Sequence, residues 1–143
     1  MKWIVALAVG IAVAFLAMWM FMGRGGPRPE TMGQSVREDA IVAVSMPELS
    51  GNAALGARAF KGKCAKCHGD DAGGRAGKGP PLIYKYYFPG HHGDEAFFRA
   101  ARQGVQQHHW TFGNMPPVNG ITNADLKVIV AYVRAVQRAN GIY

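Results

Sequence analysis

Cys64-Ala65-Lys66-Cys67-His68 is the stretch that decides how this chain is read. Two thiols three positions apart at the end of a helix can reach the two vinyl groups on one edge of a porphyrin. The next residue then sets an imidazole under the iron, and C-x-x-C-H is the attachment signature of a c-type heme. The other readings of C-x-x-C fail for want of residues. Cys64 and Cys67 are the only cysteines in 143 residues, which excludes a disulfide-stapled scaffold and a four-cysteine zinc or iron–sulfur site. A redox dithiol of the thioredoxin kind would need a βαβ pattern, and no strand pattern of any length is present. The reading is one covalent heme c, attached at Cys64 and Cys67, with His68 as an iron ligand.

An iron that carries electrons instead of binding gases needs a second axial ligand. Of the seven methionines, Met1, Met18, Met20 and Met22 belong to an apolar run at the start, and Met32 and Met46 to the stretch after it. Met115 alone follows the heme motif, in Phe112-Gly113-Asn114-Met115-Pro116-Pro117-Val118, where two prolines stiffen the chain beside the sulfur. Histidine–methionine ligation raises the reduction potential and suits electron transfer. The plainer alternative is an ordinary loop methionine.

Three helices frame this site. Residues 52–63 enter the motif, with Ser50 or Asn52 as cap and Gly56 and Phe60 on one face. Residues 94–103 begin with acidic side chains and stop at Gly104. Residues 122–140 open on Thr122 with Asp125 three positions on, a capping box, and Gly141 follows as a stop. Leu126, Ile129, Val130, Val133 and Val136 form an apolar stripe at helical spacing, read as core.

On these residues the region from about 51 to 143 resembles a class I c-type cytochrome, and the whole chain resembles a membrane-anchored bacterial monoheme one. The resemblance is carried by Gly56 and Phe60 ahead of the heme motif, Gly79-Pro80-Pro81-Leu82, Asn114-Met115-Pro116-Pro117, and Tyr132 in the last helix. It implies an all-α class I cytochrome c fold, three to five helices around one heme, preceded by a single N-terminal transmembrane helix. It also implies that the carbonyl of Pro80 accepts the Nδ1–H of His68, and that the first and last helices cross where Gly56 meets Tyr132.

Residues 3–22 read WIVALAVGIAVAFLAMWMFM, 20 uncharged residues. As a helix they would span about 30 Å, the hydrocarbon thickness of a bilayer. Trp3 and Trp19 stand near the ends, at headgroup level. The rival is a cleaved signal peptide with Ala12-Val13-Ala14 as its small-x-small site, but that leader would be unusually short and the apolar run continues past it. Residues 1–22 are therefore read as a transmembrane signal anchor, 23–50 as a Gly/Pro-containing linker, and 51–143 as the heme domain. As a flexible coil the linker would reach about 30 Å; the alternative is that it lies on its own domain or on a partner. Flanking charges nearly tie, so orientation follows from the implied chemistry. Heme is attached outside the bacterial inner membrane, which puts the N-terminus in the cytoplasm and the heme domain in the periplasm.

The net charge is +7, from sixteen Lys and Arg against nine Asp and Glu. The whole excess lies in 51–143, where twelve basic residues face five acidic ones. No basic helix face or recognition motif suggests nucleic acid. Lys61, Lys63, Lys66, Lys78 and Lys85 flank the heme segments, either as a plain solvated face or, as the resemblance implies, as a ring that meets acidic patches on redox partners. The pairs His91-His92 and His108-His109 remain open. Adjacent histidines diverge on a strand or a helix, so a doublet seldom holds one metal. The readings are exposed histidines, hydrogen bonding to heme propionates together with Trp110, and a copper or zinc site or a histidine in place of Met115.

The function expected is single-electron transfer between membrane redox complexes, with no substrate bond made, no catalytic residue and no small-molecule substrate. The resemblance implies a quinol:cytochrome c oxidoreductase as donor, and a terminal oxidase, another reductase or a reaction centre as acceptor. The alternatives are a permanent heme subunit of a larger respiratory or dehydrogenase complex, and an open-site heme sensor or peroxidase.

Overall fold

The computed structural model describes Met18 and residues 39–143. The anchor expected at 1–22, Met18 apart, and residues 23–38 of the expected linker lie outside the described residues. Among the described residues no helix is long and apolar enough to cross a membrane.

α1 (Gly51–Lys63) begins after Ser50, whose backbone is extended and whose side chain makes no cap. The Ser50 carbonyl does that work, accepting from the amides of Ala53 and Ala54 at 3.2 and 3.3 Å. The helix stops at Cys64 and a further turn, α2 (Ala65–His68), carries the chain through the heme motif to Gly69. A 3₁₀ turn (Lys85–Tyr87) follows the Gly-Pro-Pro-Leu element. α3 (Asp94–Gln103) has Asp94 and Glu95 in its first turn, where carboxylates oppose the helix dipole, and ends on Gly104. α4 (Asn123–Ala139) carries the expected capping box. The Thr122 hydroxyl accepts from the amide of Asp125 at 3.1 Å, and the Asp125 carboxylate accepts from the amide of Thr122 at 3.0 Å. The described residues contain no strand, only two isolated bridges, Arg75 with Gly79 and Val105 with Met115.

α1 crosses α4 at Gly56. A Cβ at position 56 would lie 1.8 Å from the carbonyl oxygen of Val128 and 2.8 Å from the Cβ of Tyr132, so only glycine allows this approach. Phe60, one turn on, meets the Tyr132 ring at 5.1 Å, and both are fully buried. The Tyr132 hydroxyl donates to the carbonyl of Asp70 at 2.9 Å, tying α4 to the chain just past His68. Leu126, Ile129, Val130, Val133 and Val136 are all buried, as the stripe predicts. Burying one such side chain contributes roughly 1.5–3 kcal/mol, so this seam is the main source of cohesion.

Of the two readings of residues 23–50, the described part, 39–50, follows the second and lies on the heme domain. Val44 joins the buried core, with Val42 and Leu49 packed against it. The amides of Ile41 and Val42 donate to the carbonyl of Gly73 at 3.2 and 3.1 Å. Asp39 pairs with Arg75 at 2.6 Å. Asn140, at the end of α4, clasps the backbone of Ser45 from both sides, accepting from its amide and donating to its carbonyl at 2.9 Å each. An extended segment satisfied by partners this distant in sequence has no local pattern to announce it.

Candidate heme site

Cys64 ends α1 and Cys67 sits on α2, half-buried and exposed respectively, and both are free thiols. The amides of Cys67 and His68 both donate to the Cys64 carbonyl, at 3.1 and 3.0 Å, which winds the motif into one tight turn. Burial, with the neighbouring Cys67 second, pushes the Cys64 thiol up to about 11, against a smaller opposing pull from Lys63.

His68 is 8% exposed. Its Nδ1 lies 2.9 Å from the carbonyl of Pro80, the acceptor the resemblance implies. With Nδ1–H donating there, Nε2 is the nitrogen that holds the lone pair. Burial lowers the His68 pKa, while the Pro80 carbonyl raises it by a smaller amount. The imidazole is therefore neutral, as a ligand must be. The loop that brings Pro80 here is tied to Ala72, a buried residue at φ 62, whose carbonyl accepts from the amides of Leu82 and Ile83 at 2.8 and 3.3 Å.

Met115 is placed by its backbone. It exchanges both hydrogen bonds with Val105, each 2.9 Å, and the amide of Val118 donates to Ala101 in α3 at 2.7 Å. Gly104 sits at φ 77, and a Cβ there would lie 2.4 Å from the Met115 carbonyl oxygen, so this junction excludes other residues. Within the loop the amide of Gln107 donates to the Asn114 side chain at 3.0 Å, and the amide of Gly113 to that of Gln107 at 2.8 Å. These bonds make a hairpin with His108, His109 and Trp110 near its tip. Half-buried Met115 stands at its return end.

The residues present fit a heme. Two free thiols and a neutral, oriented imidazole share one turn. Trp110 adds an independent sign: its Nε1–H is buried without a hydrogen-bond acceptor of good geometry, the Tyr87 phenol being a nearby polar group. A buried donor left over is costly, and an anionic group such as a propionate would satisfy it.

Some site residues have no local signal. Arg134, 7% exposed on α4, donates to the carbonyls of Tyr87, at 2.8 Å, and His92, pairs with Asp94 at 2.9 Å and lies 4.9 Å over the Phe97 ring. Fully buried Gln137 accepts from Arg134 at 2.6 Å and donates to the carbonyl of Leu82 at 2.9 Å. Together they fasten the 3₁₀ turn and the segment after it to α4. Lys61, Lys63, Lys66, Lys78 and Lys85 are all exposed.

No curated protein and no solved structure matches the chain. A family model described as cytochrome c matches residues 53–137, more than half of the chain and the whole span from α1 to the last turns of α4. The C-x-x-C-H turn, its buried imidazole and the helices around them lie inside that match. The chain belongs to the cytochrome c family and is a heme-based electron-transfer protein that carries covalently attached heme c.

Proposed function

We propose that this protein is a one-electron carrier tethered to the bacterial inner membrane by residues 1–22. Its first residues face the cytoplasm and its heme domain lies in the periplasm. It takes electrons from a donor such as a quinol:cytochrome c oxidoreductase and delivers them to a terminal oxidase, another reductase or a reaction centre. The 20-residue apolar run with tryptophans near its ends supports the tether.

When bound, heme c supplies an iron that takes up and returns one electron. Cys64 and Cys67 hold the group covalently. His68 offers Nε2 to the metal, and its Nδ1–H bond to Pro80 keeps the ring oriented and raises its basicity. Met115 offers its sulfur as the second ligand from a loop fixed by Val105. With His68 tied to Pro80 and Met115 to Val105, both residues would keep their positions whichever oxidation state the bound heme held. No side chain makes or breaks a substrate bond, and no catalytic residue is assigned. The exposed lysines around the attachment segments steer acidic partners to this face.

The 2.9 Å contact between His68 Nδ1 and the Pro80 carbonyl is the observation that carries the reading. The test is the holoprotein with and without Met115→Ala. The wild type should refuse carbon monoxide when reduced, and the variant should bind it and show a lower midpoint potential. A wild type that binds carbon monoxide rapidly, or a variant with an unchanged spectrum, rejects Met115 as a ligand.

A further inference from the structure

His91 and His92 stand in the turn before α3, and His109 stands in the hairpin after it. One ring nitrogen from each lies within 4.8 Å of the other two. His91 Nε2 and His109 Nε2 are 3.4 Å apart. Two imidazole nitrogens each about 2.0–2.1 Å from one tetrahedral ion are separated by about 3.3–3.4 Å, so this edge already has the length a shared ion requires.

The ligand atoms are also held in place. His92 Nδ1 is 2.6 Å from the carbonyl of Tyr86. The Nδ1–H donates there and leaves Nε2 as the basic nitrogen, the arrangement usual for metal-binding histidines. The His92 amide donates to Phe88 at 2.9 Å, and its carbonyl accepts from Arg134. The His109 ring stacks on Tyr86 at 4.7 Å and 22°. The His91 and His92 planes stand at 81°, with centroids 4.6 Å apart, so the turn does not splay the doublet as a strand would.

We propose that His91, His92 and His109 bind one divalent first-row transition ion, Zn(II) or Cu(II), as a three-imidazole site with its remaining position open to water. A neutral all-nitrogen set suits these ions and not Mg(II) or Ca(II), which take oxygen ligands. The three nitrogens lie within 4.8 Å of one another, a bound about 1.4 Å above a tetrahedral edge, so the rings would have to draw together slightly on the ion. His108 lies outside the set, with its Nδ1 2.9 Å from the Gln106 carbonyl. A bound ion would join the turn before α3 to the hairpin that runs on to Met115. The site uses none of the residues assigned to heme.

The test is titration of the full-length holoprotein in detergent with Zn(II), followed by calorimetry, and with Cu(II), followed by electron paramagnetic resonance. We expect one equivalent of either ion, and Cu(II) hyperfine structure from nitrogen ligands. His91→Ala and His109→Ala should each weaken binding about tenfold or more, at least the loss that follows removal of a supporting residue. His108→Ala should bind like wild type, and all variants should keep the wild-type heme spectrum. A wild type that takes up no stoichiometric ion overturns the proposal. So does binding that survives in both ligand variants, or that falls equally in His108→Ala.

Discussion

Gly56→Ala is the sharpest perturbation this fold offers. The added methyl would sit 1.8 Å from the Val128 carbonyl oxygen, and real Cβ contacts essentially never fall below 3.0 Å. α1 and α4 must therefore part by about 1.2 Å along that line, because the obstacle is backbone and cannot rotate away. Separation on this scale opens the Phe60–Tyr132 contact and stretches the Tyr132 hydrogen bond to Asp70 beyond useful length. Overpacking of this kind costs about 1–3 kcal/mol, and a backbone clash belongs at the upper end. Alanine returns about 1 kcal/mol of helix propensity, leaving a net loss of about 2 kcal/mol. For a domain of this size that lowers Tm by about 8–16 °C. Gly62→Ala is the matched control, on the same helix with nothing within 4 Å of its added methyl. It should raise Tm by about 2–8 °C. Thermal unfolding of the two holoproteins, followed by far-ultraviolet circular dichroism, decides the matter. A Gly56→Ala protein as stable as wild type, beside a Gly62→Ala protein that gains, would refute the crossing as the constraint on this seam.

Other variants probe the remaining devices. Thr122→Ala removes the α4 cap and should cost about 1 kcal/mol, read by chemical denaturation. The Thr122 amide and hydroxyl hold the Asp125 carboxyl below its usual range. Its contribution to stability is therefore complete above the unfolded value of about 3.9 and fades as pH falls through the lower folded value, so Asp125→Asn should flatten the acid limb of the stability curve. Arg134→Met strips hydrogen bonds from two carbonyls and should cost about 2 kcal/mol in denaturant melts; Arg134→Lys should rescue little, since an ammonium cannot span the same acceptors. Gly104→Ala forces a methyl toward the Met115 carbonyl, 2.4 Å away, and should admit carbon monoxide to the reduced protein as Met115→Ala does, though less completely. Electron-transfer rates with an acidic redox protein should fall steeply between low and physiological ionic strength, and charge-neutralising changes at Lys61 and Lys78 should flatten that dependence.

The helices were legible because their signals are local. α3 occupies the residues its acidic start and glycine stop imply, and α4 differs only in that Thr122 and Asn140 cap the helix instead of joining it. Gly56 and Tyr132 could be paired only through family resemblance, since nothing in their spacing shows that two helices meet there. The buried polar residues of α4 were not legible. Arg134 and Gln137 fall outside the apolar stripe, and the backbone carbonyls they bind leave no trace in composition. The histidine cluster was visible only as two doublets, not as a group. The doublets lie on either side of a ten-residue helix about 15 Å long, and only the return of the hairpin after it sets His109 beside His91.

The docking of residues 39–50 changes the mechanics of the proposed tether. At most sixteen residues, 23–38, are left between the apolar run and the folded body, in place of twenty-eight. At about 3.4 Å per residue the longest possible leash shrinks from about 95 Å to about 54 Å. The volume a leashed redox centre can patrol scales with the cube of that length, so it contracts roughly fivefold, and the local concentration seen by any complex within range rises by the same factor.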